Sequence, residues 1–227
     1  PDEYKGENFW RAYKKGAKLI CIDPRKGFIA NKADLWLQIR PGTDAALSLG
    51  FHHVIIEEEL YDKEFVDNYI NGWDAFKERV MKDYPLEKVE EITWVDKDLI
   101  REAARMYATT KPACIHWGVP TEQTNNCVNY TRATTGLMAI TGNLDAPGGN
   151  ALFVNPPTRT VAEFSRHRDL SPEQQKKRLG GDQFKLGARV ALINPKKAWD
   201  AILTGQPYPL KAGILCGSNP VVTRANA

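Results

Sequence analysis

Asp23 and Arg25 close one apolar run, in "KLICIDPRKG", and Gly42, Thr43 and Asp44 close the next, in "DLWLQIRPGTD". A carboxylate at a strand end can accept two hydrogen bonds from a ribose diol, or from the N1 and N2 donors of guanine. Asp23 therefore suits a nucleoside, and Arg25 and Lys26 beside it can pair with phosphate. Gly42, Thr43 and Asp44 open a helix, where free N–H groups attract phosphate or carboxylate and glycine permits close approach. Asp44 can again take donors from a base. Plainer accounts exist for each: an Asp-Pro turn at Asp23, a solvated basic loop at Arg25 and Lys26, and a helix cap at Thr43. Gln123, read as opening the helix after "HWGVPTE", can donate to a ligand carbonyl, and Asn219 in "GSNP" can do the same.

Nucleophilic chemistry has no comparable constellation. Ser48 and Ser165 lack a histidine or acid at a telling spacing. His52 and His53 fall within a helix, which reads as one surface and one partly buried residue; His116, on a strand, reads as a satisfied core residue. Neither a P-loop nor a GxGxxG fingerprint occurs. The four cysteines, Cys21, Cys114, Cys127 and Cys216, form no CxxC and read as buried and reduced. The residues favour binding over a chemical step, so no catalytic residue and no metal ligand is assigned.

These residues must be positioned by regular elements. Residues 18–23 and 35–39 read as strands, the second by its alternation of Leu35, Leu37 and Ile39. Thr43 caps a helix to about Leu60 that is apolar on several sides and hence buried. Gly72 separates two helices, Pro85 starts another, and Asp96 caps the next, whose face is Leu99, Ile100, Ala103 and Tyr107. "ACIHWG" reads as a third strand, and a long helix ends before the glycines of "NLDAPGGN". Beyond Asn150 the chain is polar, basic and loop-rich, with a short helix over 172–179, before "ARVALI", "PKKAWDAILTG" and "KAGILCGSNP" restore a βαβ rhythm. The expected fold is α/β: a Rossmann-like, mostly parallel sheet with helices on both faces over 1–149, and part of a second α/β domain over 150–227. In such sheets ligands bind at the carboxyl ends of the strands, where Asp23, Gly42 to Asp44, Trp117, Gly118, Ser218 and Asn219 all fall.

Composition narrows the class. A net charge of +3, without a basic stripe interleaved with aromatics, gives no footprint for nucleic acid. No run of 18 apolar residues is present. Neither terminus reads as a natural end: Pro1 starts without a targeting region, so cytoplasm and periplasm stay open, and "GSNPVVTRANA" stops in mid-turn, as expected of an internal piece.

In combination the motifs resemble a known family. "IDPRKG", "ADLWLQIRPGTDAALSLGFHHVIIEEELYDKEFVDNYINGWD", "WGVPTEQ", "RATTGLMAITGNLDAPGGN" and "GQPYPLKAGILCGSNP", spanning about 17–220, are similar to the molybdopterin oxidoreductases of the dimethyl sulfoxide reductase family. The resemblance implies a molybdenum or tungsten ion held by two pyranopterin guanine dinucleotides (bis-MGD), two-electron redox chemistry, and a role in anaerobic respiration and electron transfer. It implies that Ile22, Asp23, Pro24, Arg25 and Lys26 lie where one strand-end loop holds a guanosine, and Gly42, Thr43 and Asp44 where a second does. Trp117, Gly118 and Gln123 match a strand-to-helix segment near the cofactor, and Ser218 and Asn219 a later dinucleotide contact. The metal ligand and any iron–sulfur cluster would lie upstream. The implied partners are the remaining domains of the same chain and an iron–sulfur electron-transfer subunit. "GGNALFVNPPTRTV" lacks the Arg-Gly-Gln-Asn run of formate-dehydrogenase-like members, which argues against that substrate. Two other readings stay open on the residues alone: a Rossmann-type NAD(P)-dependent dehydrogenase, and a non-catalytic nucleotide-binding middle domain such as that of a thiamine-diphosphate enzyme.

Overall fold

The structure, a computed structural model, describes residues 3–116, 118, 123–152, 157–158, 166–184 and 192–223. The chain forms two compact units, Pro1–Val154 and Asn155–Ala227.

In the first unit, α1 (Glu3–Lys14) leads to β1 (Ile20–Ile22), a 3-10 turn (Ala30–Lys32) and β2 (Leu35–Leu37). Then come α2 (Asp44–Glu57), α3 (Lys63–Tyr69), α4 (Trp73–Asp83), α5 (Leu86–Thr93), α6 (Lys97–Thr109) and α7 (Cys127–Ile140). Local chemistry accounts for the helix limits. Asp62 accepts from the Phe65 N–H at the start of α3, and Asp96 accepts from the Asp98 and Leu99 N–H groups at the start of α6. Gly72, at φ 75°, reverses the chain between α3 and α4 as the glycine signal predicts.

α2 is the centre of the unit. Leu47, Phe51, Val54, Ile55 and Ile56 are buried on it, and it packs against α4, α5, α6 and α7. An all-round apolar helix has nowhere else to go, so its sequence specifies a central position. Leu37 of β2 and Ile100, Ala103 and Ala104 of α6 join the same core.

The expected doubly covered sheet is not what forms. Among the described residues the only sheet is the two-stranded parallel pair β1–β2, in register Ile20 with Leu35 and Ile22 with Leu37, and the fold is mostly helical. Residues 113–116 and 214–216, expected as strands, are not strands. The physical reason is partnership, since an extended segment becomes a strand only when a neighbour takes its N–H and C=O groups. Side-chain amides take the Ala113 N–H and both backbone groups of Ile115; at 214–216 no such bond is present among the described residues, and Ile214 is 96% exposed. In "ARVALI", residues 188–191 lie outside the described residues, and 192–193 are not strand.

The second unit contains a 3-10 turn (Arg166–Asp169), α8 (Pro172–Lys177), α9 (Pro195–Thr204) and α10 (Pro220–Thr223). Its expected α/β character is likewise absent among the described residues. α8 carries a complete capping box, Ser171 with Gln174, and Asn194 caps α9 through the Lys196 N–H.

Candidate cofactor-binding edge

Because β1 and β2 run parallel, both leave the sheet at the same edge. The loop after β1 is a built structure. Asp23 Oδ1 accepts from the Arg25 N–H at 2.7 Å, an Asx turn that fixes the loop. From β2 and just beyond it, Trp36 Nε1 donates to the Asp23 carbonyl at 2.9 Å and Gln38 Nε2 to the Pro24 carbonyl at 3.1 Å. Ile22, at the end of β1, is 46% exposed. Arg25 and Lys26 are exposed, and the Lys26 ammonium lies 5.1 Å from the Trp36 ring centre. The Cys21 thiol is pushed up by burial and then by the charge of Asp23, so it is kept protonated beside this loop.

The segment after β2 departs from simple capping. The Thr43 hydroxyl donates back to the Arg40 carbonyl at 2.7 Å and makes no cap bond to α2. The Asp44 and Ala45 N–H groups consequently have no acceptor among the described residues, leaving the positive end of a 14-residue helix open. Gly42, at φ 83°, has open space where a side chain would stand. Asp44 is half-buried and its carboxylate makes no hydrogen bond among the described residues. Burial raises the pKa of the Tyr130 phenol on α7, and the negative charge of Asp44 adds to the rise. Arg40 stacks over Trp94, 5.0 Å from the ring centre. Two cations held on indoles therefore accompany the segments that leave β1 and β2.

The third group of expected residues is placed differently. Trp117 lies outside the described residues; Gly118 is described, and Gln123 sits exposed in the turn before α7 without opening that helix, which starts at Cys127 after Asn126. Ser218 and Asn219 belong to the second unit, both exposed, with the Asn219 carbonyl accepting from the Val222 and Thr223 N–H groups to start α10. Several other residues differ from expectation. His52 and His53 are both buried, because α2 is enclosed on all sides, and His116 is exposed. Cys114 and Cys216 are exposed, on segments that lack strand neighbours.

Sequence reasoning missed Trp36, Gln38, Arg40, Trp94, Tyr130, Asn143 and Asn150. The period-two pattern of β2 points Trp36 and Gln38 to one face and was a usable signal for those two. A separate polar cleft of about 310 Å³ between α2, α5 and α6 is lined by His53, Glu57, Glu87, Lys97, Asp98 and Arg101. It involves no strand-end residue, and Lys97 and Arg101 are already paired with Glu87 and Glu57.

The molybdopterin oxidoreductase family profile matches residues 7–227. The chain belongs to that family. It is 39% identical over 242 residues to acetylene hydratase of Syntrophotalea acetylenica, covering 95% of this chain and 32% of that protein. It is 42% identical over 145 residues to formate dehydrogenase H of Escherichia coli (strain K12), covering 64% of this chain and 20% of that protein. The solved acetylene hydratase from Pelobacter acetylenicus superposes with a TM-score of 0.68 at 36% identity, over 90% of this chain and 31% of that one. The chain thus spans about a third of the length of the first of these curated relatives and a fifth of the second. Family membership displaces the nicotinamide-dehydrogenase and middle-domain readings. No helix among the described residues is long and apolar enough to cross a membrane.

Proposed function

We propose that the carboxyl edge of β1 and β2 binds the guanosine and pyrophosphate portion of a pyranopterin guanine dinucleotide. The observation that carries this is the pair of carboxylates on the segments leaving one edge of a parallel pair, one of them half-buried, with no hydrogen-bond donor among the described residues, beside an uncapped helix start. Asp23, with Oδ1 engaged by Arg25, offers Oδ2 to a ribose or guanine donor; Asp44 offers both oxygens. Arg25, Lys26 and the α2 N-terminus supply charge for phosphate, and Gly42 leaves room for close approach. Trp117, Gly118 and Gln123 are proposed as further contacts of this unit, and Ser218 and Asn219 as a separate dinucleotide contact carried by the second unit.

Within the whole protein, two-electron redox chemistry is supplied by molybdenum or tungsten carried on the bound pterin. The residues of this chain bind and orient the dinucleotide. An iron–sulfur cluster and an iron–sulfur partner subunit belong to the same reading. The names of the relatives span a hydration and a dehydrogenation, so the proposal concerns the cofactor and leaves the substrate unassigned.

The test is guanine nucleotide and metal per mole of purified full-length protein. Charge-assisted hydrogen bonds contribute about 1.5–3 kcal/mol each. Asp23→Ala and Asp44→Ala are each expected to lower dinucleotide retention by about one to two orders of magnitude. Wild-type content in both folded variants would make the two carboxylates a turn former and a helix-start residue only.

A further inference from the structure

We propose that Asn150 is a positioning residue: its side-chain amide stands in for a neighbouring strand and fixes the chain path that leads through residue 115 to Gly118. The proposal rests on the reading that Gly118 and Gln123 contribute to the dinucleotide site.

The bonds are specific. Asn150 Oδ1 accepts from the Ile115 N–H at 2.8 Å, and Asn150 Nδ2 donates to the Ile115 carbonyl at 2.8 Å. Two residues earlier, Asn143 Oδ1 accepts from the Ala113 N–H at 3.1 Å. Contacts at 113 and 115 have the period of a strand edge, so the two asparagines reproduce half a β-ladder with side chains. A primary amide presents a donor and an acceptor side by side in one plane, as a neighbouring strand does. Aspartate at 150 would keep the bond from the Ile115 N–H and set a carboxylate oxygen against the Ile115 carbonyl.

Asn150 is itself held rigidly. Its N–H donates to the Asn143 carbonyl at 2.8 Å and its carbonyl accepts from the Asp145 N–H at 2.8 Å. Asn143 Nδ2 donates to Thr141 Oγ1 at 2.9 Å, and Lys111 Nζ donates to the Thr141 carbonyl. Gly149 is obligatory, since a Cβ there would stand 2.2 Å from the Asn143 carbonyl oxygen. The loop in "TGNLDAPGGN" is therefore a clamp on residues 111–115, and the chain continues from it to Gly118, Gln123 and α7.

The experiment uses the full-length, cofactor-loaded protein and reads two quantities, guanine nucleotide released per mole and thermal midpoint. Asn150→Asp is the main variant; Asn150→Ala, which removes both bonds without adding charge, serves if the first does not fold. Val80→Ala, in α4 and 1% exposed, is the stability control; Asp23→Ala is the contact control. Nucleotide content is expected to fall about tenfold in the Asn150 variants, the effect of about 1.4 kcal/mol, while Val80→Ala keeps wild-type content at an equal or larger loss of thermal midpoint. Wild-type content in the Asn150 variants alongside loss in Asp23→Ala would overturn the positioning role and leave the dinucleotide reading intact. Equal loss in Val80→Ala would reduce Asn150 to general stability. Wild-type content in the Asp23 and Asn150 variants together would overturn both readings.

Discussion

Two runs of this chain, Ile20–Ile22 and residues 214–216, are nearly alike in composition and end in turn residues, yet meet opposite fates. The first pairs with β2. The second forms no strand and stays open, with Ile214 96% and Leu215 70% exposed. The difference lies in what surrounds them. β1 has Leu35–Leu37 beside it and a helical core behind it, whereas the described part of the second unit buries little more than Leu179 and Ala201. Strand propensity is a statement about fitting a half-buried, partnered surface, and without the partner the same residues make no strand.

The comparison is broken most directly by truncating a side chain in each unit. Ile55, at the centre of α2, is fully buried. Ile55→Ala in the 227-residue polypeptide is expected to cost about 2–5 kcal/mol in urea unfolding. Ile214→Ala is expected to stay within about 0.5 kcal/mol. A loss above about 1 kcal/mol for Ile214 would mean that this segment packs in solution and that the contrast is false.

That contrast also explains what could be read in advance. Helices were legible because their signals are local: the Asp62 and Asp96 caps, the Gly72 reversal and the Ser171–Gln174 box act within a few residues. The burial of α2 was legible because its apolar surface runs all round. Sheet extent was not, since pairing depends on residues far away in sequence. Asp23 stands just after β1, whereas β2 stops at Leu37 and Asp44, read at the end of that strand, stands in the first turn of α2. Their surroundings were hidden for the same reason as the sheet: Trp94 under Arg40 and Asn150 on Ile115 are contacts between distant segments, and the charge of Asp44 reaches Tyr130 from another helix. An asparagine after Gly-Gly reads locally as turn chemistry, and nothing local marks it as a surrogate strand.

The buried histidine sharpens the difference between enclosed and open regions with a pH effect. His52 Nε2 donates to the Ala133 carbonyl at 2.8 Å, so the proton sits there and the buried Nδ1 has no partner among the described residues. Burial lowers its pKa from 6.5 to about 4, against the raising effect of the Ala133 bond. The unfolded chain therefore binds a proton between about pH 6.5 and 4 that the folded chain refuses, and stability falls as the pH is lowered through that window. At about 1.4 kcal/mol per unit, the loss from this one group approaches about 3 kcal/mol at pH 4. Urea midpoints at pH 7 and pH 4 should show this component in the wild type and lack it in His52→Gln. Parallel pH profiles for the two proteins would mean that water reaches His52.

The smallest effect is expected at the opposite end of the same two strands, and it separates structure from binding. Asp34 precedes β2 and closes the amino edge, accepting from Lys18 Nζ at 2.8 Å and from the Leu19 N–H at 2.8 Å. The Lys18 bond is the largest cause of its lowered pKa, followed by the Leu19 bond. The exposed ion pair with Lys18 adds little in water, and the Leu19 bond contributes about 0.5–1.5 kcal/mol. Asp34→Ala should therefore cost about 1 kcal/mol at pH 7. Because the folded pKa is depressed, that contribution is present above the ordinary carboxylate range and is lost as the pH falls through the folded value, so variant and wild type should converge in strong acid. Guanine nucleotide per mole should not change in the full-length variant, since Asp34 faces away from the carboxyl edge that holds Asp23 and leads to Asp44. A loss of nucleotide matching that of Asp23→Ala would show that the sheet responds as one unit to damage at either end. The carboxyl-edge carboxylates could then no longer be credited with direct contact.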